Sequence, residues 1–93
     1  MDRPAEILYE LFEELAERLN VNLVQGKGDF TGGLCSVNAE TYIVLNKIRP
    51  LGQRLRILAR EFAGMDLSDV YLVPVLRTYI EETGLALRQG EVV

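Results

Sequence analysis

Histidine is absent from this sequence of 93 residues, and cysteine occurs only once, at Cys35. Without histidine, a histidine-based zinc centre is excluded. A lone cysteine cannot form an internal disulfide, so the fold must depend on packing, and this usage is typical of a cytoplasmic protein. No apolar run approaches the roughly 20 residues of a membrane span. The charged segment 1–6 also lacks the basic start and apolar run of a signal peptide.

The composition of the chain is ordinary for a folded domain. Hydrophobic residues make up 48% of the sequence and charged residues 26%, a balance far from that of disordered segments. This length predicts one domain, residues 1–93, in which about 60–65% of the unfolded surface becomes buried. The formal net charge of -4 argues against general nucleic-acid binding.

Residues 4–19 are predicted to form a helix. Its apolar residues recur at helical spacing in one stripe: Leu8, Leu11, Phe12, Leu15 and Leu19. Glutamates cover the other faces: Glu6, Glu10, Glu13, Glu14 and Glu17. Pro4 suits the first helical position, and Asn20 is expected to end the helix.

Three strands are expected next. Residues 21–25 form the first, and residues 34–37 and 41–46 form a hairpin connected through residues 38–40. The third strand is the most apolar stretch of the chain, so we expect it to be central in the sheet or buried on both faces. The glycines between the strands indicate turns, because no Gly-Lys-Ser/Thr follows them as in a phosphate-binding loop.

Two further helices complete the predicted order. Pro50 opens a helix that ends near Gly64 in a left-handed cap, and the next helix covers residues 74–83 and stops at Gly84. For residues 85–93 three alternatives are open: a short docked strand, a dimer contact, or a flexible tail. The expected fold class is α+β, with an N-terminal helix, a small three-stranded sheet and then two helices in one layered domain.

This order of elements resembles a known family. The matching pieces are residues 16–21 (Ala-Glu-Arg-Leu-Asn-Val), residues 32–33 (Gly-Gly), residues 43–46 (Ile-Val-Leu-Asn) and residues 58–64 (Leu-Ala-Arg-Glu-Phe-Ala-Gly). Together they resemble the ImmA/IrrE-type zinc peptidase domain, a zincin-like scaffold, over roughly residues 5–65. The chain is also similar to short bacterial proteins that contain a Gly-Gly-Leu-Cys run.

The metal ligands of that family are missing from this chain. The resemblance implies histidines at the positions of Arg60 and Gly64, around a glutamate at Glu61, but arginine stays protonated and glycine has no side chain. We therefore expect no zinc, no other cofactor and a non-catalytic role. For Glu61 we expect a surface position on the helix, paired with Arg56 or a neighbouring residue.

One stretch of the chain is strongly basic. Five basic residues and no acidic residue fall within fourteen positions: Lys47, Arg49, Arg54, Arg56 and Arg60. Such a stretch suits phosphate, nucleic acid, an acidic protein surface or the acidic first helix of a second copy. The alternative is a solvated helix face that balances the first helix of the same chain.

Two other features have both a functional and a structural interpretation. Cys35 follows two glycines on a predicted strand, and we expect it to be buried and inert because no histidine is available to activate it. Tyr71 and Tyr79, with the apolar residues of the tail, either close the core or form a partner surface. Because a small sheet must cover or pair its edges, a symmetric strand-to-strand dimer is also open.

Three functions follow, in order of preference. The first is a non-catalytic protein-interaction or regulatory module that binds a protein partner or a second copy, without a membrane contact. Its candidate contact residues are Arg54, Arg56, Arg60, Glu61, Tyr71 and Tyr79. The second is a carboxylate-based enzyme or small-ligand binder that uses Glu61 with Glu81 or Glu82. The third is a nucleic-acid accessory protein that uses residues 47–60.

Overall fold

The computed structural model describes residues 3–90. Helix α1 (Arg3–Arg18) is followed by strands β1 (Val21–Gly26), β2 (Gly32–Val37) and β3 (Glu40–Asn46), and then by helix α2 (Leu51–Ala63). The last helical region consists of α3 (Pro74–Tyr79), a π-helical turn (Ile80–Gly84) and α4 (Leu85–Gly90). The predicted α+β class, with its N-terminal helix, three-stranded sheet and following helices, is confirmed.

Strand β3 lies at the centre of a mixed sheet with the order β1-β3-β2. It runs parallel to β1 and antiparallel to β2, so that Leu23 and Leu34 both pair with Ile43. Ile43 and Leu45 are fully buried, whereas Val44 between them is partly exposed. The central position of this strand was predicted from its apolar composition. Among the described residues, α1 packs against β1, and α2 packs against β2 and β3.

The β2–β3 hairpin turns at Asn38 and Ala39. Both residues have left-handed backbone conformations, with φ values of 52° and 68°. Two consecutive left-handed residues are the signature of the tight type I′ turn, whose twist matches that of the flanking strands. The hairpin was therefore predicted, but β3 begins at Glu40, inside the segment that was assigned to the turn.

Strand β2 is an exposed edge strand, and the expectation that Cys35 is buried is wrong. Cys35 is exposed, and its neighbour Leu34 is 49% exposed although it pairs with the buried Ile43. Alternate residues of a strand point to opposite faces. Because Leu34 shares the helix-covered face with Ile43, Cys35 points to the uncovered face.

The hydrophobic core lies between the helices and the inner face of the sheet. Phe12 of α1 stacks on Phe62 of α2 with ring centroids 5.7 Å apart. Tyr79 of α3 meets the Phe12 ring edge-on, with a centroid distance of 6.1 Å. Aromatic contacts of this kind stabilise by about 0.5–1.5 kcal/mol beyond the area they bury. They join the three helices into one packed unit.

The prediction that Gly84 ends a helix is wrong, and of the alternatives left open for the tail the strand is contradicted over residues 85–90, which are helical. The backbone stays helical at both joints of the last region, with φ of -62° at Ile80 and -67° at Leu85. Gly84 is buried. A Cβ at this position would collide with the carbonyl oxygen of Ala59 in α2. Glycine here permits close helix packing. The rest of the predicted tail, residues 91–93, lies outside the described residues.

Gly64 does end helix α2, but not in the predicted left-handed conformation. Its φ is -88°. Arg88 of α4 lies over it, and a Cβ at Gly64 would be 2.6 Å from the Arg88 guanidinium carbon. The Arg88 Nη1 donates a hydrogen bond of 3.1 Å to the carbonyl oxygen of Arg60. Gly64 thus leaves room for a side chain that caps the end of α2.

Candidate functional site: an arginine-lined cleft

Helix α2 places Arg56 and Arg60 away from the core. Pro50 stands at the N-cap, and the apolar residues Leu55, Leu58 and Phe62 are buried. Residues three and four apart share a helix face. Arg56 therefore lies above Arg60, away from the buried stripe.

These arginines line a cleft of about 470 Å³. Its walls are formed by Thr31, Arg49, Gln53, Arg54, Arg56, Ile57, Arg60 and Leu87. Four of these eight residues are arginines, and none of the described residues that line the cleft is acidic. The cleft therefore concentrates positive charge on a chain whose formal net charge is -4.

Arg54 is held in place at the contact between α1 and α2. Its Nε donates a 3.2 Å hydrogen bond to the carbonyl oxygen of Arg49, and its guanidinium carbon lies 5.7 Å from the centroid of the Tyr9 ring. The Tyr9 hydroxyl accepts a 2.7 Å hydrogen bond from Nε2 of Gln25. Burial is the main cause that raises the pKa of Tyr9, followed by the nearby Glu13, while Arg54 lowers it.

Glu61 is buried and paired with Arg60, so the expected surface position is wrong. Only 9% of Glu61 is exposed, and its Oε2 accepts hydrogen bonds from Nη2 and Nε of Arg60 at 2.7 and 3.1 Å. The expected pairing with a neighbouring residue is confirmed, although the partner is not Arg56. Glu61 follows the buried Leu58 by three residues, which brings it to the same side of α2. A buried carboxylate requires a cationic or hydrogen-bonding partner.

Arg49 stands in the turn before α2 and has an unsatisfied donor. Its Nε is buried and has no hydrogen-bond partner within the part of the chain that the structure describes. Most buried polar groups in proteins are paired. A ligand in the cleft with a hydrogen-bond acceptor could pair with this Nε–H group of Arg49.

Asn46 brings the loop with Thr31 to the cleft. Asn46 is fully buried at the end of β3, and its Nδ2 donates 2.7 Å hydrogen bonds to the carbonyl oxygens of Gly28 and Phe30. These two bonds fix the loop between β1 and β2. Thr31, the residue after Phe30, thereby forms one wall of the cleft.

The other candidate residues do not gather at this cleft. Glu81 and Glu82 are exposed and line two different depressions, neither of which includes Glu61. Tyr71 is 67% exposed, and Tyr79 is half-buried against Phe12. The structure thus brings Arg54, Arg56 and Arg60 together at the cleft, whereas neither Tyr71 nor Tyr79 is one of its lining residues. Glu61 therefore shares neither depression with Glu81 or Glu82, and the carboxylate pair proposed for an enzyme is not formed there.

Two walls of the cleft were not predicted from the sequence. Thr31 comes from a loop distant in sequence, and no local pattern marks it. Leu87 was assigned to an apolar tail that either closes the core or forms a partner surface, and its place in the cleft was not predicted because Gly84 was interpreted as a helix end. Ile80, Gly84 and Leu87 follow each other at intervals of four and three residues, so a helical reading through Gly84 would have found it.

Between residues 3 and 90, no group of three or more histidine, cysteine, aspartate or glutamate residues is arranged to hold a metal ion. None of the helices in that range has both the length and the apolar content needed to cross a bilayer. Comparisons with protein-family models, with curated proteins and with solved structures find no match to this chain. The cleft itself is therefore the basis for assigning a function.

Proposed function

We propose that this chain is a non-catalytic interaction module whose arginine cleft binds an acidic segment of a protein. The observation that supports this function is the lining of the cleft: among residues 3–90 eight residues form it, of which four are arginines and none is acidic. Arginine is well suited to carboxylates because its planar guanidinium forms two parallel hydrogen bonds. Arg54 is already oriented by Tyr9 and Arg49, which lowers the entropy lost on binding.

The shape and surroundings of the cleft favour a protein segment over nucleic acid. Ile57 and Leu87 add apolar walls between the arginines, and these suit a peptide in which carboxylates alternate with apolar side chains. Nucleic-acid sites instead combine extended basic surfaces with stacking aromatic residues. Among the described residues that line the cleft, none is aromatic.

A binding role also agrees with the chemistry of Glu61 and with the resemblance to zinc peptidases. The carboxylate of Glu61 forms an ion pair with Arg60. A carboxylate paired in this way is unsuited to activating a water molecule. We propose that the scaffold is zincin-like and that Arg60 and Gly64 stand where such a peptidase has its histidines. Arg88 packs against Gly64, so the end of α2 holds guanidinium groups where a metal ion would need neutral ligands.

Fluorescence anisotropy of a labelled oligoglutamate peptide tests this function, with the full chain in about 50 mM salt, where screening is weak. Arg56→Ala should weaken binding about 2–5-fold, because exposed ion pairs contribute about 0.2–1 kcal/mol. Arg49→Ala, at a half-buried position whose Nε has no partner, should weaken binding at least as much. Lys47 belongs to the same basic run but is exposed and lies outside the cleft lining. Lys47→Ala therefore removes the same charge and should have a smaller effect.

Equal losses in Lys47→Ala and Arg56→Ala would mean that only net charge matters, and the cleft would lose its assigned role. A labelled DNA duplex serves as the competing ligand. If the duplex binds more tightly than the peptide and displaces it, nucleic acid replaces protein as the partner class.

A further inference from the structure

The acidic face of α1 is an exposed stripe with regular spacing. Glu6, Glu10, Glu13 and Glu17 are all exposed, and intervals of four, three and four residues place them along one side of the helix. The stripe is about 16 Å long at a rise of about 1.5 Å per residue. Within the described range, the ion pair between Arg60 and Glu61 includes none of these four glutamates.

Helix α2 has a complementary pattern. Gln53, Arg56 and Arg60 line the cleft at intervals of three and four residues, and Arg49 in the preceding turn lines it as well. The intervals of four, three and four residues between the α1 glutamates are the same whether they are counted from the N-terminus or from the C-terminus. The glutamates of α1 can therefore face the α2 residues whether the two helices run parallel or antiparallel.

The acidic stripe and the basic cleft lie on helices α1 and α2, which pack against each other. At their contact Arg54 lies over the Tyr9 ring, and Glu13 also acts on this tyrosine, since it raises the pKa of Tyr9 while Arg54 lowers it. Two adjacent surfaces of opposite charge are self-complementary, because a twofold axis can place each acidic stripe against the partner's basic cleft.

We infer that the acidic segment bound by the arginine cleft is helix α1 of a second copy of this chain, in a twofold-symmetric dimer with α1 against α2 on both sides. This inference rests on the proposed function, since it names the segment that the cleft binds. The attraction is between exposed charges, so the dimer is expected to dissociate as salt rises.

Analytical ultracentrifugation of the full chain tests the dimer through a charge exchange. Glu10→Arg with Glu13→Arg reverses the acidic stripe, and Gln53→Glu with Arg56→Glu reverses the basic one; all four side chains are exposed, so both variants should fold. Wild type should self-associate at about 50 mM salt and roughly tenfold more weakly at about 500 mM. Each variant alone should associate at least roughly tenfold more weakly than wild type. An equimolar mixture should restore a heterodimer, because both interfaces then pair opposite charges.

Two results would overturn the inference. One is a wild-type chain that stays monomeric at about 50 mM salt. The other is a dimer that persists in both variants, which would place the interface elsewhere, for example at the exposed edge strand β2. The same samples are titrated with the oligoglutamate peptide. Cleft-dependent peptide binding by a monomeric wild-type chain contradicts the dimer alone, whereas a wild-type chain that neither self-associates nor binds the peptide contradicts the proposed function as well.

Discussion

Gly84 packs against the carbonyl oxygen of Ala59 so closely that no side chain fits between the two helices. This contact joins the C-terminal helical region to α2. It also determines where Leu87, one turn further on, forms a wall of the arginine cleft. A glycine far from the basic run in sequence thus helps to shape the proposed binding site.

Gly84→Ala should destabilise the protein by about 1–3 kcal/mol, because the added methyl group forces α2 and the last helix apart. Besides the collision with Ala59, its Cβ would lie 3.0 Å from that of Ala63. Urea denaturation followed by circular dichroism measures the change. Gly52→Ala is the matched control, since a Cβ at Gly52 meets nothing within 4 Å. That control should stabilise α2 by up to about 1 kcal/mol, and a Gly84→Ala variant as stable as wild type would contradict the close contact.

Ala39→Gly should increase stability. Ala39 has a φ of 68° in the β2–β3 turn, a left-handed conformation that costs an L-residue roughly 1–2 kcal/mol and that glycine adopts freely. Glycine loses more backbone entropy on folding than alanine, so the net increase in the free energy of unfolding is expected to be about 0.5–1 kcal/mol. Thermal and urea unfolding measure it. Ala86→Gly, at an exposed position in helix α4, should have the opposite sign, and equal losses in both variants would rule out the assigned turn.

Stability should decline at alkaline pH partly because of Tyr79. Burial raises the pKa of Tyr79 above its ordinary value of 10.0, while Arg56 lowers it to a smaller extent. A folded-state pKa above the unfolded value gives a contribution that is fully present below pH 10.0 and is lost as the pH rises through the folded pKa. Tyr79→Phe should therefore show a shallower decline in urea-unfolding free energy above that pH. Tyr71→Phe, at a position 67% exposed, should decline as wild type does; identical slopes in all three proteins would contradict the role of Tyr79.

Periodicity predicted the fold because the elements with one clear apolar pattern bury that pattern. The spacing of Phe12 and Leu15 indicated α1, and the unbroken apolar run around Ile43 indicated a central strand; all three residues are buried. The helix end predicted at Gly84 was wrong because glycine occurs both at helix ends and where two helices pack closely. Sequence alone does not distinguish these two uses, since the second depends on which helix packs opposite.

The candidate site was predicted in part, for a related reason. Arg54, Arg56 and Arg60 stand close together in sequence on one helix, so their proximity follows from local structure. Glu61 was assigned to the surface because charged residues are seldom buried, but a direct pair with Arg60 makes its burial tolerable. The place of Thr31 in the cleft could not be predicted from the sequence, because it depends on the hydrogen bond from Asn46 to the preceding residue, Phe30, a tertiary contact.

The central claim is that an acidic segment binds in the arginine cleft. The most direct measurement is a titration of the ¹⁵N-labelled chain with unlabelled oligoglutamate peptide, followed by amide chemical shifts at low salt. The account predicts saturable shifts concentrated at Thr31, Gln53, Arg56 and Leu87, reversed by added salt. Shifts that spread evenly over the surface, or that concentrate on strand β2 and leave the cleft unchanged, would contradict it.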